Sequence, residues 1–465
     1  MRVSIGATIT VENPSQALND WCEEHLVIPN PEYAKKVRMH FWVGNTPKTL
    51  SLYERRGNAL ILPFGILRDV QHFLWGHPCT SEFPEPVEIA YGGEVPLYSY
   101  QDDAVNVMKE CRYGILQSPA GSGKTQMGIA LVMRYGRRAL WLTHTADLLN
   151  QSKARAERYM DKRLIGTITE GKVNIGQGIT FATIQTICRL DLAQYKDLWD
   201  VIIVDECHRV AGTPTAMTQF FKVLNSLSAR HKYGLSATVH RADGMIAATY
   251  ALLGRVVYTV PDEAVKDKIM QVGIKPLGTG VKLSRECLNT DGTINYTKLI
   301  SYLCENKERT HYIGSWIVAE ADHPCLILSD RLNHLEALMN TLPRSMREMS
   351  VMISGKMTTK KGKAEREQAI EDMRTGRKRY LFATYSLARE GLDIPCLERL
   401  YMTTPIKDKA WVIQSIGRIA RVCANKENPI VYDFVDNIAY LQKMYKKRCT
   451  IYKSQNCYWA GDDDE

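Results

Sequence analysis

The sequence predicts an α/β protein in which two tandem parallel-sheet domains follow a small α+β module. Three observations predict it. From about Pro96, strand-like apolar runs alternate with helical stretches, the signature of βαβ units. After a polar connector near 278–291 the same alternation begins again. The first ninety residues lack that rhythm, and their short apolar runs are cut by Asn13-Pro14, Pro29-Asn30-Pro31, Gly57-Asn58 and Pro84-Glu85-Pro86, which turn the chain.

Taken in order, residues 1–90 form an accessory domain in which Leu60-Ile61-Leu62 reads as a strand running into Pro63. Residues 91–262 form the first α/β domain, with strands expected at 114–117, 139–143, 180–183, 201–204 and 233–236. Residues 263–295 read as a connector. Residues 296–465 form the second α/β domain, with strands at 325–328, 349–353, 380–383, 399–402 and 429–432. These runs are unbroken rather than alternating, as expected of strands covered on both faces. The terminal Gly461-Asp462-Asp463-Asp464-Glu465 is expected to fray.

Composition narrows the class. At 465 residues, 45% hydrophobic and 24% charged, the chain has enough apolar surface for several cores and is not a disordered polymer. No run approaches the ~18 apolar residues that cross a bilayer, and the first ten residues lack a signal-peptide core, so a soluble, unexported, cytoplasmic protein without a membrane partner is expected. Twelve cysteines are scattered with no CxxC pair, which favours reduced thiols over a metal site. The net charge of +9 is uneven: −2 over residues 1–90, +6 over 91–260 and +5 over 261–465. Lys356, Lys360, Lys361, Lys363, Arg366, Arg374, Arg377, Lys378 and Arg379 form a basic subset that faces a polyanion or merely solubilises a helix; the solvated face is the preferred reading.

The chemistry is carried by spacing. Ser118-Pro-Ala-Gly-Ser-Gly-Lys-Thr125 lies between the strand 114–117 and a helical run 126–135, the context a phosphate loop requires. Gly121, Ser122 and Gly123 let backbone N–H groups turn toward a phosphate, Lys124 reaches the terminal phosphates, and the Thr125 hydroxyl is a ligand for Mg²⁺. Eighty-one residues after Lys124, Asp205 and Glu206 end the buried run Val201-Ile-Ile-Val, where ligands of open α/β sheets bind. Asp205 is expected to hold Mg²⁺, Glu206 to deprotonate the attacking water, and His208 to report nucleotide state. Thirty-one residues further on, Ser236 and Thr238 of Gly234-Leu-Ser-Ala-Thr end another strand and are expected to reach toward Asp205 and His208. In the second domain, helical spacing of four and three puts Gln414, Arg418 and Arg421 on one side, so two guanidinium groups and an amide can face a γ-phosphate.

With these residues in order, the chain resembles the superfamily 2 helicases and translocases across roughly residues 97–432. The resemblance rests on Leu97-Tyr-Ser-Tyr-Gln101, the phosphate loop, Asp205-Glu-Cys-His208, Ser236-Ala-Thr238, Arg389-Glu-Gly391-Leu-Asp393-Ile-Pro395 and Gln414-x-x-Gly-Arg-x-x-Arg421. It implies two RecA-like domains clamping ATP and Mg²⁺ between them. It further implies that Gln101 reads adenine, that Gly391 and Asp393 couple nucleic acid to ATP, and that Thr145, Thr183, Gln185, Arg241 and Thr384 lie near the nucleic-acid backbone. The Leu-x-x-Tyr-Gln entry and Glu-Gly-Leu-Asp-Ile-Pro are closest to the XPB, RecG and phage UvsW type of DNA-remodelling helicase. Tyr98, His144 and Val239 depart from it where arginine, proline and proline are common, and Arg241-Ala242-Asp243 lacks the middle acid of an Arg-Glu-Asp element.

The implied activity is ATP-driven remodelling of forked or branched DNA by a monomer from a bacterial or phage-infected cell, through fork regression or branch migration. An RNA helicase, or an ATP-switched nucleic-acid sensor that does not unwind, are the alternatives. Residues 1–90 are expected to select the substrate through local groups such as Arg55 and Arg56, or Phe41 and Trp42 stacking at a junction. Aromatic residues dominate small cores, so Phe41 and Trp42 read first as core.

Overall fold

The computed structural model describes residues 1–119, 121–239, 244–265, 269–355, 357, 359–389, 392, 394–406, 408–423 and 426–461. Arg241, Gly391, Asp393, Lys356 and the acidic end Asp462–Glu465 lie outside the described residues. The chain divides into two compact units. One comprises Met1–Pro119 and Gly123–Ala264, the other Val265–Glu465 with the short stretch 120–122. Among the described residues no helix is long and apolar enough to cross a membrane.

The first unit begins with a five-stranded sheet. Its strands are β1 (Arg2–Ile5), β2 (Thr8–Glu12), β5 (Glu54–Arg56), β6 (Ala59–Pro63) and β7 (Cys79–Ser81), in the order β5-β6-β2-β1-β7. A separate pair joins β3 (Val27–Pro29) to β4 (Thr49–Ser51). Alternation along β2 and β6 sends Ile9, Val11, Leu60 and Leu62 to one face, where they meet Leu18 and Cys22 of the helix Gln16–His25. That core continues into Met245, Ala248 and Ala251, at and within the helix Ile246–Leu253 of the α/β layer. The module is thus packed through shared apolar side chains. Phe41 and Trp42 are not part of it: they are 60% and 88% exposed on the loop after the helix Pro31–Arg38, which overturns the core reading.

An eight-stranded sheet follows: β8 (Gly114–Gln117), β9 (Ala139–Thr143), β10 (Ile165–Thr169), β11 (Lys172–Asn174), β12 (Ile179–Thr183), β13 (Val201–Asp205), β14 (His231–Ser236) and β15 (Val256–Thr259), in the order β11-β10-β12-β9-β13-β14-β8-β15. Every pairing is parallel except β10 with β11. Every residue of β9, β12 and β13 is buried, which is why these segments read as continuous apolar runs. The helix Lys124–Tyr135 lies close on this sheet because Gly128 has no side chain; a Cβ there would come within 2.6 Å of the Trp141 ring.

Lys232 on β14 is fully buried and has no acidic partner among the described residues. Its ammonium donates to the carbonyls of Ala7 (3.0 Å) and Leu224 (2.7 Å) and sits 4.9 Å from the centre of the Phe64 ring. The N-terminal module therefore forms part of the lid over a cation rooted in the larger sheet. Burial pulls its pKa down from 10.5 to about 7.

The second unit has seven parallel strands: β16 (Gly273–Gly278), β17 (Cys325–Ser329), β18 (Ser350–Ile353), β19 (Tyr380–Thr384), β20 (Arg399–Met402), β21 (Ile430–Val435) and β22 (Tyr458–Trp459), in the order β18-β19-β17-β20-β21-β16-β22. The stretch 263–295, expected as a connector, thus contributes β16. Gly273, Pro276 and Gly278 disguise it in sequence. Pro276 is tolerated because β22 pairs only with Gly273 and Ile274, leaving the strand unpaired on that side further along. Two buried ion pairs tie the helices to this sheet. Arg309 meets Asp436 at 2.7 and 3.1 Å, and Arg448 meets Asp433 at 2.8 Å through both nitrogens. The third nitrogen of each guanidinium also donates, that of Arg309 to the Thr403 carbonyl and that of Arg448 to the Ile406 carbonyl.

Lys232 generates a pH test. Between about pH 7 and 10.5 the unfolded chain binds the proton that the folded lysine has lost, so this residue's contribution to stability rises with pH across that window. In denaturant unfolding at pH 7 and pH 10, wild type should gain relative to Lys232→Met, by at most about 4 kcal/mol at ~1.4 kcal/mol per pH unit. A constant difference between the two proteins would mean that the carbonyls and the ring keep the ammonium charged throughout.

Candidate active site

The parallel sheet of the first unit sets its chemistry along one edge. In the register, Asp205 is opposite Leu235 and Ser236 opposite Gln117, so the carboxyl ends of β13, β14 and β8 lie side by side. The Ser118 N–H extends this pairing to the Ser236 carbonyl at 2.9 Å. The loop leaving β8 passes through Gly121 and Gly123, both at positive φ (85° and 86°), and enters the helix at Lys124. At Gly123 the positive φ is what favours glycine; a Cβ there would also lie 2.4 Å from Gln101 Nε2 and displace the end of that side chain. The Lys124 ammonium lies over the start of the loop, 3.2 Å from the Ser118 carbonyl and 3.3 Å from that of Pro119.

Gln101 is thereby brought against the phosphate loop. Its Oε1 accepts the Tyr98 N–H at 3.0 Å, and its Nε2 lies 3.3 Å from the Tyr100 hydroxyl. Tyr98 and Tyr100 stack with centroids 6.0 Å apart and planes 11° from parallel, leaving Tyr98 half exposed.

The two carboxylates differ in their surroundings. Asp205 completes β13 and accepts from the Glu206 N–H at 3.0 Å and more distantly from Ser152 Oγ at 3.4 Å. Glu206 takes a left-handed backbone (φ 51°), an unfavourable conformation for a residue with a side chain, and turns the chain off the strand at once. Its Oε2 is 3.3 Å from His208 Nδ1, which is also 3.1 Å from Ser236 Oγ. Ser236 Oγ in turn donates to the Thr238 carbonyl at 2.6 Å. With the Ser236 proton committed, Nδ1 must carry the imidazole hydrogen, which assigns the tautomer from the network. Burial and the adjacent Glu206 push Asp205 up to about 7; burial works against Glu206 too but is outweighed by His208 and the Lys124 charge, which hold it down near 2.

The candidate nucleic-acid residues occupy the next two strands. Thr143 is opposite Thr183, so β9 and β12 end together. Thr145 caps the helix Ala146–Ala156 by accepting the Leu148 N–H at 3.3 Å, Thr183 donates to Thr186 Oγ1 at 3.0 Å, and Gln185 Nε2 donates to the His144 carbonyl at 2.7 Å. This edge therefore runs from Thr183 and Thr145 through Asp205 to Ser236 and the phosphate loop.

In the second unit, Gln414 and Arg418 lie on the helix Lys409–Ile419, and Arg418 donates to the Leu392 carbonyl at 2.8 Å. Gln414 Oε1 is buried without a hydrogen-bond partner among the described residues. Arg421 departs from the expectation of a shared helical side. The helix ends at Ile419, and Arg421 instead bridges the Ile269 backbone. No glycine or proline marks that stop; the pairing with Ile269 holds it. Thr384 ends β19, with its hydroxyl 3.1 Å from Ser386. Sequence reasoning missed Ser152, whose only signal is a small polar residue on the buried side of a helix.

The chain matches the family described as Type III restriction enzyme, res subunit over residues 94–241, and the Helicase conserved C-terminal domain over residues 308–423. Together these stretches exceed half of the chain. It is 25% identical over 365 residues to a putative ATP-dependent RNA helicase of Acanthamoeba polyphaga mimivirus, covering 77% of this chain and 67% of that one. It is 24% identical over 363 residues to a DNA 3'-5' translocase of the XPB type from Sulfurisphaera tokodaii, covering 70% and 79%. Among solved structures, S. cerevisiae Dbp5 bound to RNA and ADP BeF3 superposes with a TM-score of 0.53 at 17% identity, over 87% of this chain and 95% of that one, a likeness of fold.

The roles expected of Lys124 and Glu206 separate binding from chemistry. Glu206→Gln should keep nucleotide affinity and lose ~100-fold or more in turnover, whereas Lys124→Ala should lose both, measured by fluorescent-nucleotide titration beside steady-state hydrolysis. Hydrolysis by Glu206→Gln within a few-fold of wild type would remove Glu206 as the base.

Proposed function

The chain belongs to the superfamily 2 helicases, a family that hydrolyses ATP to act on nucleic acid, and within it we propose a DNA translocase that remodels forked or branched substrates. The observation that carries this reading is the order of strand ends in the first unit. Nucleotide groups fill β8, β14 and β13, backbone-gripping candidates fill β9 and β12, and β13 is hydrogen-bonded to β9 on one side and β14 on the other.

In this reading Lys124 and the loop N–H groups hold the phosphates, Glu206 takes the proton of the attacking water, and Gln101 positions the base. Asp205 and Thr125 are the residues that would hold Mg²⁺; a buried carboxylate with a raised pKa suits a cationic neighbour, and the ion would supply charge neutralisation at the phosphates. Arg418 and Arg421 of the second unit stabilise charge that develops during transfer. The close contacts linking Glu206, His208 and Ser236 carry the state of the site into the β14 turn. Thr145, Thr183, Gln185 and Thr384 offer hydroxyl and amide groups suited to phosphates, which position a strand without reading its sequence. Arg241, Gly391 and Asp393 keep the roles that the family resemblance implies.

DNA is favoured by the motif style and the XPB-type relative; the mimiviral relative's name keeps an RNA helicase as the second reading. The protein is proposed to act as a monomer in a bacterial or phage-infected cell. Substrate choice is assigned to the N-terminal module, where exposed Phe41 and Trp42 follow a helix whose last turn carries Lys35, Lys36 and Arg38. A base stacked on such a ring gains ~1–3 kcal/mol.

Removing the module wholesale would bare Met245, Ala248, Ala251 and Lys232, so point variants are the sound test. Phe41→Ala with Trp42→Ala should weaken binding to a fork ~5-fold or more while leaving single-strand-stimulated hydrolysis near wild type. Equal remodelling of forked DNA by variant and wild type would reassign the module to partner docking. Stimulation by RNA alone would replace the DNA reading with the RNA one.

A further inference from the structure

The helix Ala439–Ser454 carries a charge pattern unlike any other in the chain. From residue 437 to 461 there are five basic residues and no acidic one. Leu441, Met444, Arg448, Ile451 and Tyr452 form its buried side, and Arg448 is spent inward on Asp433. Lys443, Lys446, Lys447 and Lys453 are exposed and fall within a sector of roughly 120° opposite that side, at about 100° per residue. Among the described residues none of the four ammonium groups has an ion-pair or hydrogen-bond partner.

The other basic helix, Lys360–Arg374, is built differently. Lys361 pairs with Glu365 at 3.9 Å and Arg374 with Glu371 at 3.7 Å, while Arg377 just beyond pairs with Asp372 at 2.8 Å. That is a solvated face, with opposite charges at helical spacing. In Ala439–Ser454 the neighbours are alike: Lys443 has lysines three and four positions on, and their repulsion works against the helix. A polyanion laid along such a row would relieve that repulsion.

Its position favours one polyanion. The helix starts just after the carboxyl end of β21, and β21 runs parallel to β20, β17 and β19. Its first turn, residues 439–442, therefore stands at the same edge where Thr384 ends β19, and the lysine row starts at the next residue and runs on from that edge. From Lys443 to Lys453 the row extends ~15 Å, about four phosphates of one strand at ~3.4 Å each.

We infer that Lys443, Lys446, Lys447 and Lys453 form a further nucleic-acid contact that grips the phosphodiester backbone beyond the residues of the helicase motifs. This rests on the reading that the chain moves on DNA. The test uses the full-length protein with Lys443, Lys446 and Lys447 all changed to Gln, titrated with single-stranded and duplex DNA from 50 to 300 mM salt. Three lost phosphate contacts lower the slope of log affinity against log salt by ~2.7 on duplex and ~2.1 on single strands. Divided by ~0.9 per contact on duplex and ~0.7 on single strands, the form that shows the greater number of lost contacts is the one gripped. ATP turnover at saturating DNA stays within two-fold, the triple Arg variant restores the slope, and Lys361→Gln with Lys363→Gln leaves it unchanged.

A slope lowered by less than ~0.7 on both DNAs, in a variant whose melting curve matches wild type, overturns the inference. So does a loss confined to binding of phosphatidylserine vesicles, or a slope that falls only in the Lys361/Lys363 variant. A melting curve that fails to match is resolved by the Arg variant, which keeps the charge: if it too leaves the slope low, the row is structural and the inference falls. Failure of the underlying reading has a different signature, because wild type itself would then show neither DNA binding nor DNA-stimulated hydrolysis.

Discussion

The parallel hydrogen-bonding of β13 between β9 and β14 is the constraint on which the rest of the first unit depends. It fixes where Asp205 stops and therefore where Glu206 begins its left-handed turn. A slip of one residue would send Asp205 to the other face and break the run of close contacts from Glu206 through His208 to Ser236. No loop could hold these groups so closely, because their backbones would lack a ladder. The unbroken apolar character of the strands is thus the condition for their polar ends.

The second unit reaches rigidity by a different route. Its sheet is equally apolar, but Arg309 with Asp436 and Arg448 with Asp433 pin long helices to it through buried charge. Each pair uses most of its hydrogen-bonding capacity, the condition under which buried ions are tolerated. Asp433 also accepts from the Tyr452 hydroxyl at 2.6 Å, so one carboxylate organises two turns of the last helix. Arg418 is oriented in a related way, by a backbone carbonyl of the segment before Ile394.

Most of this was legible in the sequence because buried parallel strands and a phosphate loop have strong local signatures. Strands 114–117, 139–143 and 399–402 have the expected bounds, and others differ by one to three residues at an end. What escaped was set by distant contacts. β16 hides behind Gly273, Pro276 and Gly278, and the stop before Arg421 is imposed by Ile269. Ser152 comes near Asp205 only through the packing of its helix, and nothing in a single sequence says that Lys232 is sealed. Phe41 and Trp42 misled for the opposite reason, since aromatic character alone does not distinguish an inside from an outside.

The sealed lysine has a consequence for inheritance. Lys232 lies two residues before Gly234, within the strand that ends at Ser236, and part of its coordination comes from Ala7 and Phe64 of the N-terminal module. A lineage that exchanged this module for another would leave an ammonium on an apolar floor unless the newcomer brought a carbonyl and a ring to the same spot. Module and motor are therefore not freely shuffled parts. Recombination between relatives should preserve the pairing of residue 232 with the type of cap above it, and a hydrophobic residue at 232 marks chains in which the cap has been free to change.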